Sequence, residues 1–180
     1  MTALTHVFQA GIGNSEPEHW QSRWARRLPG SVWVDERDWE NPVRGAWVAA
    51  LEEALRRAPG RKVIVAHSLG CLVAAEAAGA LAAAGVAGAF LVAVPDVTGP
   101  SFPASAVGFR PALELTLSVP SLVVASADDP YGSLDHAERV ARAWGSRLAA
   151  VGAKGHLNAR SGLGDWPEGQ RLLEGLLASL

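Results

Sequence analysis

The chain has 180 residues, 49% of them hydrophobic and 19% charged, which allows one domain with a substantial core and excludes intrinsic disorder. Sixteen basic against 18 acidic residues leave a net charge of -2, without the basic face that nucleic-acid binding needs. A single cysteine, Cys71, excludes an internal disulfide framework and any multi-cysteine metal or iron–sulfur centre.

Taken in chain order, Met1–His6 shows no basic start and no long apolar run, so no signal peptide is expected and the expected location is cytoplasmic. Short apolar runs at Thr5–Gln9, Val32–Asp35, Lys62–His67, Ala89–Val94, Leu122–Ser126 and Arg147–Val151 read as strands. Their β-branched content and lack of strict alternation suit strands covered on both faces. Helix candidates lie between them at Glu18–Leu28, Val43–Ala58, Leu69–Ala84 and Ser133–Trp144, with Glu168–Leu177 after the last strand. Asn41-Pro42 and Pro59-Gly60 frame the second helix as start and stop signals. The 19 uncharged residues Ala77–Pro95 approach membrane-spanning length, but nine are alanine and three glycine. With Gly85 at a helix end, they read as a buried helix, a turn and a buried strand, so no membrane association is expected. This alternation predicts a doubly wound α/β fold, a mainly parallel six-stranded sheet with helices on both faces, with residues 1–180 as one domain. Pro95–Val119, rich in Pro, Gly and Ser, is the least regular segment.

The strand Lys62–Ala66 runs into His67-Ser68-Leu69-Gly70 and then an alanine-rich helix. Strand–turn–helix is the setting of a nucleophile elbow, in which a serine is held on a strained turn between small residues. The usual G-x-S-x-G pattern has Ala66 in place of its first glycine, the smallest departure available. A serine here could equally be a plain helix N-cap. What separates the readings is whether a general base and an orienting acid follow in workable positions.

Five histidines compete for the base. His6 lies in the first strand and His19 at the start of the first helix; the His67 side chain should point away from Ser68, and His136 should face solvent on its helix. His156, in the loop after the last strand, lies at a carboxyl end, where parallel sheets carry their chemistry, and is the strong choice. For the acid, Asp128 and Asp129 follow the fifth strand in a turn-forming Asp-Asp-Pro, and Asp96 after the fourth strand competes. Ser68…Asp129…His156 is the chain order of an α/β-hydrolase. An oxyanion hole would use the backbone N–H of Leu69 and one from the loop after the first strand, best Ile12. That loop, with Gly11 and Gly13, looks superficially like a dinucleotide turn, but Glu16 stands where the third glycine belongs.

Gly11 with His19-Trp20, Asp38-Trp39 with Pro42, His67-Ser68-Leu69-Gly70, Ser126 with Asp129-Pro130-Tyr131, Gly155-His156-Leu157-Asn158 and Ser161-Gly162-Leu163-Gly164-Asp165-Trp166-Pro167 together carry a resemblance. The chain resembles the small serine hydrolases related to retinoblastoma-binding protein 9 and YdeN. The resemblance implies a compact α/β-hydrolase fold, a Ser–His–Asp triad, hydrolysis of simple esters or amides, and Asp129 as the acid, since the family's aspartate precedes Pro-Tyr. A retinoblastoma-type partner is not supported, because Leu69-Gly70-Cys71-Leu72-Val73 has valine where an L-x-C-x-E segment needs glutamate.

Of the seven tryptophans, Trp20, Trp24, Trp33, Trp47 and Trp144 fall on predicted elements and read as core. Trp39 and Trp166 lie beyond strand ends and, with Phe102 and Phe109, are candidates for the substrate pocket. Cys71 reads as a small buried residue. The leading expectation is a serine hydrolase of a small acyl ester or amide, needing no metal or cofactor, with a shallow pocket and no cap domain. The alternative is a binding or regulatory protein that keeps the fold with vestigial chemistry.

Overall fold

The computed structural model describes residues 4–180. Six strands form one sheet: β1 (Leu4–Gln9), β2 (Val32–Trp33), β3 (Arg61–His67), β4 (Val86–Val92), β5 (Ser121–Ala125) and β6 (Arg147–Ala150). Every pairing is parallel and the spatial order is β2-β1-β3-β4-β5-β6. The helices are α1 (Trp20–Arg27), α2 (Arg44–Arg57), α3 (Leu69–Glu76), α4 (Ala78–Leu81), α5 (Leu134–Trp144) and α6 (Pro167–Leu177). This is the compact α/β-hydrolase architecture.

Side chains alternate across a strand, so each central strand feeds two cores. Val7, Ile64, Leu91 and Val123 point to the face covered by α2, α3 and α5, where Trp47, Leu51, Leu72 and Trp144 pack. Phe8, Val65, Phe90 and Val124 point to the other face, covered by α1 and α6 with Trp20, Trp24, Leu173 and Leu176. Burial on both faces is why the strand sequences run apolar without alternation. Among the described residues, no helix is long and apolar enough to cross a membrane.

Several expectations need correction. The helix predicted over Leu69–Ala84 breaks at Ala77, whose N–H is shared between the carbonyls of Val73 and Ala75. The alanines and Gly79 that follow offer no large side chain before Leu81 to hold a single axis. β4 starts at Val86, ahead of the predicted Ala89, because its pairing with β3 absorbs a register shift at Lys62/Val63. β2 is two residues long at the sheet edge, extended by one further bond from Val34 N–H to the Phe8 carbonyl (2.9 Å). His136 is buried, not solvent-facing, because it shares the inner face of α5 with Ala137, Val140, Ala141 and Trp144. Trp33 is only half-buried, stacked on Phe8 at the sheet edge.

The chain leaves β1 for the edge strand β2 and returns to the other side of β1 for β3. The loops leaving β1 and β3 therefore part company, and a crevice opens at their carboxyl ends.

Candidate active site

Ser68 joins β3 to α3 with φ 54° and ψ -125°, a backbone region that a non-glycine residue occupies only when its surroundings force it. Two glycines make the turn sterically feasible. A Cβ at Gly70 would lie 2.5 Å from the Gln9 carbonyl oxygen, so the start of α3 can press against β1 only without a side chain there. A Cβ at Gly11 would lie 2.9 Å from the Ser68 Cβ, so the β1 loop needs glycine to pass beside the serine. The serine is thereby held at the N-terminus of α3, the positive end of its dipole.

Ser68 Oγ lies 2.8 Å from His156 Nε2, and His156 Nδ1 lies 2.8 and 2.9 Å from the two carboxylate oxygens of Asp129. A carboxylate only accepts, so Nδ1 carries the proton and Nε2 is left to accept from the serine hydroxyl. The Asp129 side chain is 2% exposed and that of His156 10%, which keeps the chain of bonds largely dry. Asp129 also accepts from the Tyr131 N–H (2.9 Å), and the Tyr131 ring packs over His156 with centroids 4.5 Å apart.

The loop bearing His156 is pinned along its backbone. Asp128 Oδ1 accepts from Gly155 N–H (2.7 Å) and from Ser126 Oγ–H (2.8 Å), and Ser126 Oγ accepts from Lys154 N–H (2.8 Å). These bonds, Ser126 first, hold the Asp128 carboxyl below its ordinary range. On the other side, His67 Nε2–H donates to the His156 carbonyl (2.9 Å). Burial, then the neighbouring His19 and His156, keep the His67 pKa well below the usual histidine value, so it acts as a neutral donor. Asp96, the competing acid, accepts instead from the N–H and hydroxyl of Thr98 and lies beside His136. Cys71 is buried with its thiol against the Val92 carbonyl, and burial pushes that thiol up.

A cleft of about 290 Å³ opens over Ser68 and His156. Ile12 and Leu69, the two residues whose N–H groups the sequence offers to an oxyanion, line it beside Ser68. Phe102 and Pro103 form part of its wall from the irregular Pro95–Val119 segment. That segment is strapped down by a β-bridge between Val43 and Val107 and by Glu76, whose fully buried carboxylate meets Arg44 (2.8 Å) and Arg110 (2.6 Å). Three of the expected pocket residues lie outside the lining of this cleft. Trp39 packs edge-on against Trp47, and Phe109 packs on the α2–α3 core. Trp166 is buried with its ring 5.1 Å from Trp20 and 5.9 Å from Trp24, in the space left by Gly169. His19 and His67 do line the cleft, although neither was expected to; their rings lie 4.7 Å apart.

Residues 6–175 match a family model described as serine hydrolase. A YdeN-like hydrolase from Pectobacterium atrosepticum is 35% identical, with 97% of this chain and 91% of that chain covered and a TM-score of 0.83. The ydeN gene product of B. subtilis is 20% identical over 98% of this chain and 100% of that chain, at a TM-score of 0.74. A hydrolase of the alpha/beta superfamily from Xanthomonas campestris is 24% identical over 98% and 99%, at a TM-score of 0.65. No curated protein matches the chain.

Proposed function

The chain belongs to the serine hydrolase family, and from that premise we propose that it cleaves a small acyl ester or amide through Ser68, His156 and Asp129. His156 Nε2 takes the hydroxyl proton as Ser68 Oγ attacks the acyl carbonyl, and Asp129 steadies the resulting imidazolium through Nδ1–H. The N–H groups of Leu69 and Ile12 receive the negative charge that develops on the carbonyl oxygen, with the dipole of α3 aligned behind them. Collapse of the tetrahedral intermediate expels the alcohol or amine, which collects the proton from His156. Water, activated by the same imidazole, then releases the acid from the acyl-enzyme.

The observation that carries this reading is the unbroken run of hydrogen bonds, 2.8 Å from Ser68 to His156 and 2.8 Å from His156 to Asp129, opening into the cleft. The substrate reading is a small molecule, since the cleft over Ser68 and His156, of about 290 Å³, is of a size to hold a modest acyl group. Residues 1–180 would act as one domain. A fluorophosphonate probe is expected to label Ser68 and to leave Ser68→Ala unlabelled; labelling of that variant at wild-type level would refute the assignment.

A further inference from the structure

In the reaction derived above His156 becomes an imidazolium, and Asp129 reaches that cation only at Nδ1. Two aromatic rings also pack against the imidazole: His67, with centroids 5.0 Å apart, and Tyr131, at 4.5 Å. The Tyr131 ring carries negative charge density on its faces and positive density at its edge. The two planes are inclined at 53°. A phenol edge against an imidazole face holds the centres about 5 Å apart, and the smaller imidazole comes closer by turning its own edge to the phenol face. The 4.5 Å separation therefore sets His156 toward the face of Tyr131. Tyr131 is fixed there on both sides of its backbone: its N–H donates to Asp129 Oδ1 (2.9 Å) and its carbonyl accepts from Asp96 N–H (2.8 Å). With the His156 side chain only 10% exposed, water screens little of the attraction.

We propose that Tyr131 is a positioning residue that acts through the general base, its ring face stabilising the His156 imidazolium by a cation–π interaction. This rests on the acyl-transfer reading above. The contact favours the imidazolium both in the resting enzyme and in the transition state, which gives it a pH signature. Asp129 is the charged group bonded to the ring. Burial holds the neighbouring His67 and His19 below the usual histidine pKa, so both are neutral when His156 is. Asp128 is turned to the Gly155 N–H and Lys154 to Glu168, while Glu16 and Arg160 share the cleft wall. All of these stay the same when only the ring at position 131 is changed.

The test keeps the shape of the ring and drains its face. Tyr131→Phe is compared with variants carrying 4-fluoro-, 3,5-difluoro- and 3,4,5-trifluorophenylalanine at the same position, introduced by amber suppression. Hydrolysis of p-nitrophenyl acetate is followed as a function of pH. On the pH plateau kcat/KM is expected to fall stepwise with each added fluorine, by about tenfold from Tyr131→Phe to the trifluoro ring, through kcat and not KM. The acid limb should move to lower pH in step, because a cation that has lost its partner gives up its proton more readily. On that limb the weaker catalysis and the larger neutral fraction of His156 cancel, and the four variants should converge. Rates indifferent to fluorine, or a loss that is equal at every pH, would make Tyr131 a packing residue and overturn the proposal. If p-nitrophenyl acetate is not turned over, the rate of fluorophosphonate labelling gives the same readout, since attack on phosphorus also passes through the imidazolium. A wild-type protein inert to both reagents would instead overturn the acyl-transfer reading, and this inference with it.

Discussion

The backbone carbonyl of His156 accepts a hydrogen bond from His67 Nε2–H at 2.9 Å, so the residue before Ser68 holds the main chain of the histidine whose imidazole meets the Ser68 hydroxyl. His67 is buried and neutral, and it can donate without bringing a charge beside the imidazole. Removing the donor lets the His156 loop drift, and in the proposed mechanism small misplacements of the general base are costly. His67→Phe is expected to lower kcat by about 10- to 100-fold with a smaller change in KM. His67→Gln, which keeps an N–H donor at similar reach, should recover part of the loss. Steady-state kinetics on a simple ester, with thermal unfolding as a check on folding, measure both. Equal losses in the two variants would make packing, not the hydrogen bond, the function of His67.

The adjacent carboxylates Asp128 and Asp129 are assigned separate tasks by their partners. Asp129 faces the imidazole, whereas Asp128 faces the Gly155 N–H and the Ser126 hydroxyl. Asp129→Asn should cost about 10⁴-fold in kcat, because an amide no longer stabilises the imidazolium and favours the wrong tautomer. Asp128→Asn retains an oxygen to accept from Gly155 N–H and should cost less than about tenfold. Asp128→Ala, which strands that N–H, should fall between the two. Comparable losses for Asp128→Asn and Asp129→Asn would contradict this division.

Gly70 and Gly11 guard the elbow in different ways. Gly70→Ala drives a methyl group into the backbone carbonyl of Gln9, which cannot rotate aside, so the cost should appear in stability: about 1–3 kcal/mol by denaturant unfolding. Gly11→Ala meets the Ser68 side chain instead, with a Cβ 2.9 Å from its Cβ and 3.4 Å from its Oγ. Its principal effect should be on the rate of fluorophosphonate labelling, with a smaller loss of stability. A Gly11→Ala protein that labels at the wild-type rate would show that the serine has room to yield.

Much of the site was legible in the sequence because its parts are local. The elbow is a strand, a serine between small residues and a helix, and Asp129 and His156 each follow a strand closely. What was not legible depends on packing between distant segments. Trp166 sits in a loop, but its ring is drawn inward by Trp20 and Trp24, more than 140 residues earlier in the chain. The pinning by His67 joins the end of β3 to the loop after β6, and no local pattern announces it. His136 is a different case. Its spacing to Ala137, Val140, Ala141 and Trp144 is a helical apolar stripe, and that stripe was a readable sign of burial.

Glu36 offers a test of electrostatics away from the chemistry. It is buried, and burial raises its pKa from the ordinary 4.5 to about 7, with a hydrogen bond from Gln9 Nε2–H (3.1 Å) acting against the rise. Between those two values the folded protein keeps a proton that the unfolded chain has released, so stability falls as pH rises through this window and levels off above it. A shift of that size corresponds to roughly 3 kcal/mol of stability lost between about pH 4.5 and 7. Glu36→Gln keeps an oxygen for Gln9 and cannot ionise. The stability of the variant relative to wild type should therefore grow with pH up to about 7 and stay constant beyond. Every other titrating group moves both proteins alike and cancels in the difference. Denaturant unfolding of the pair at pH 5, 6, 7 and 8 measures it, and a difference independent of pH would mean that Glu36 is already ionised in the fold at pH 5.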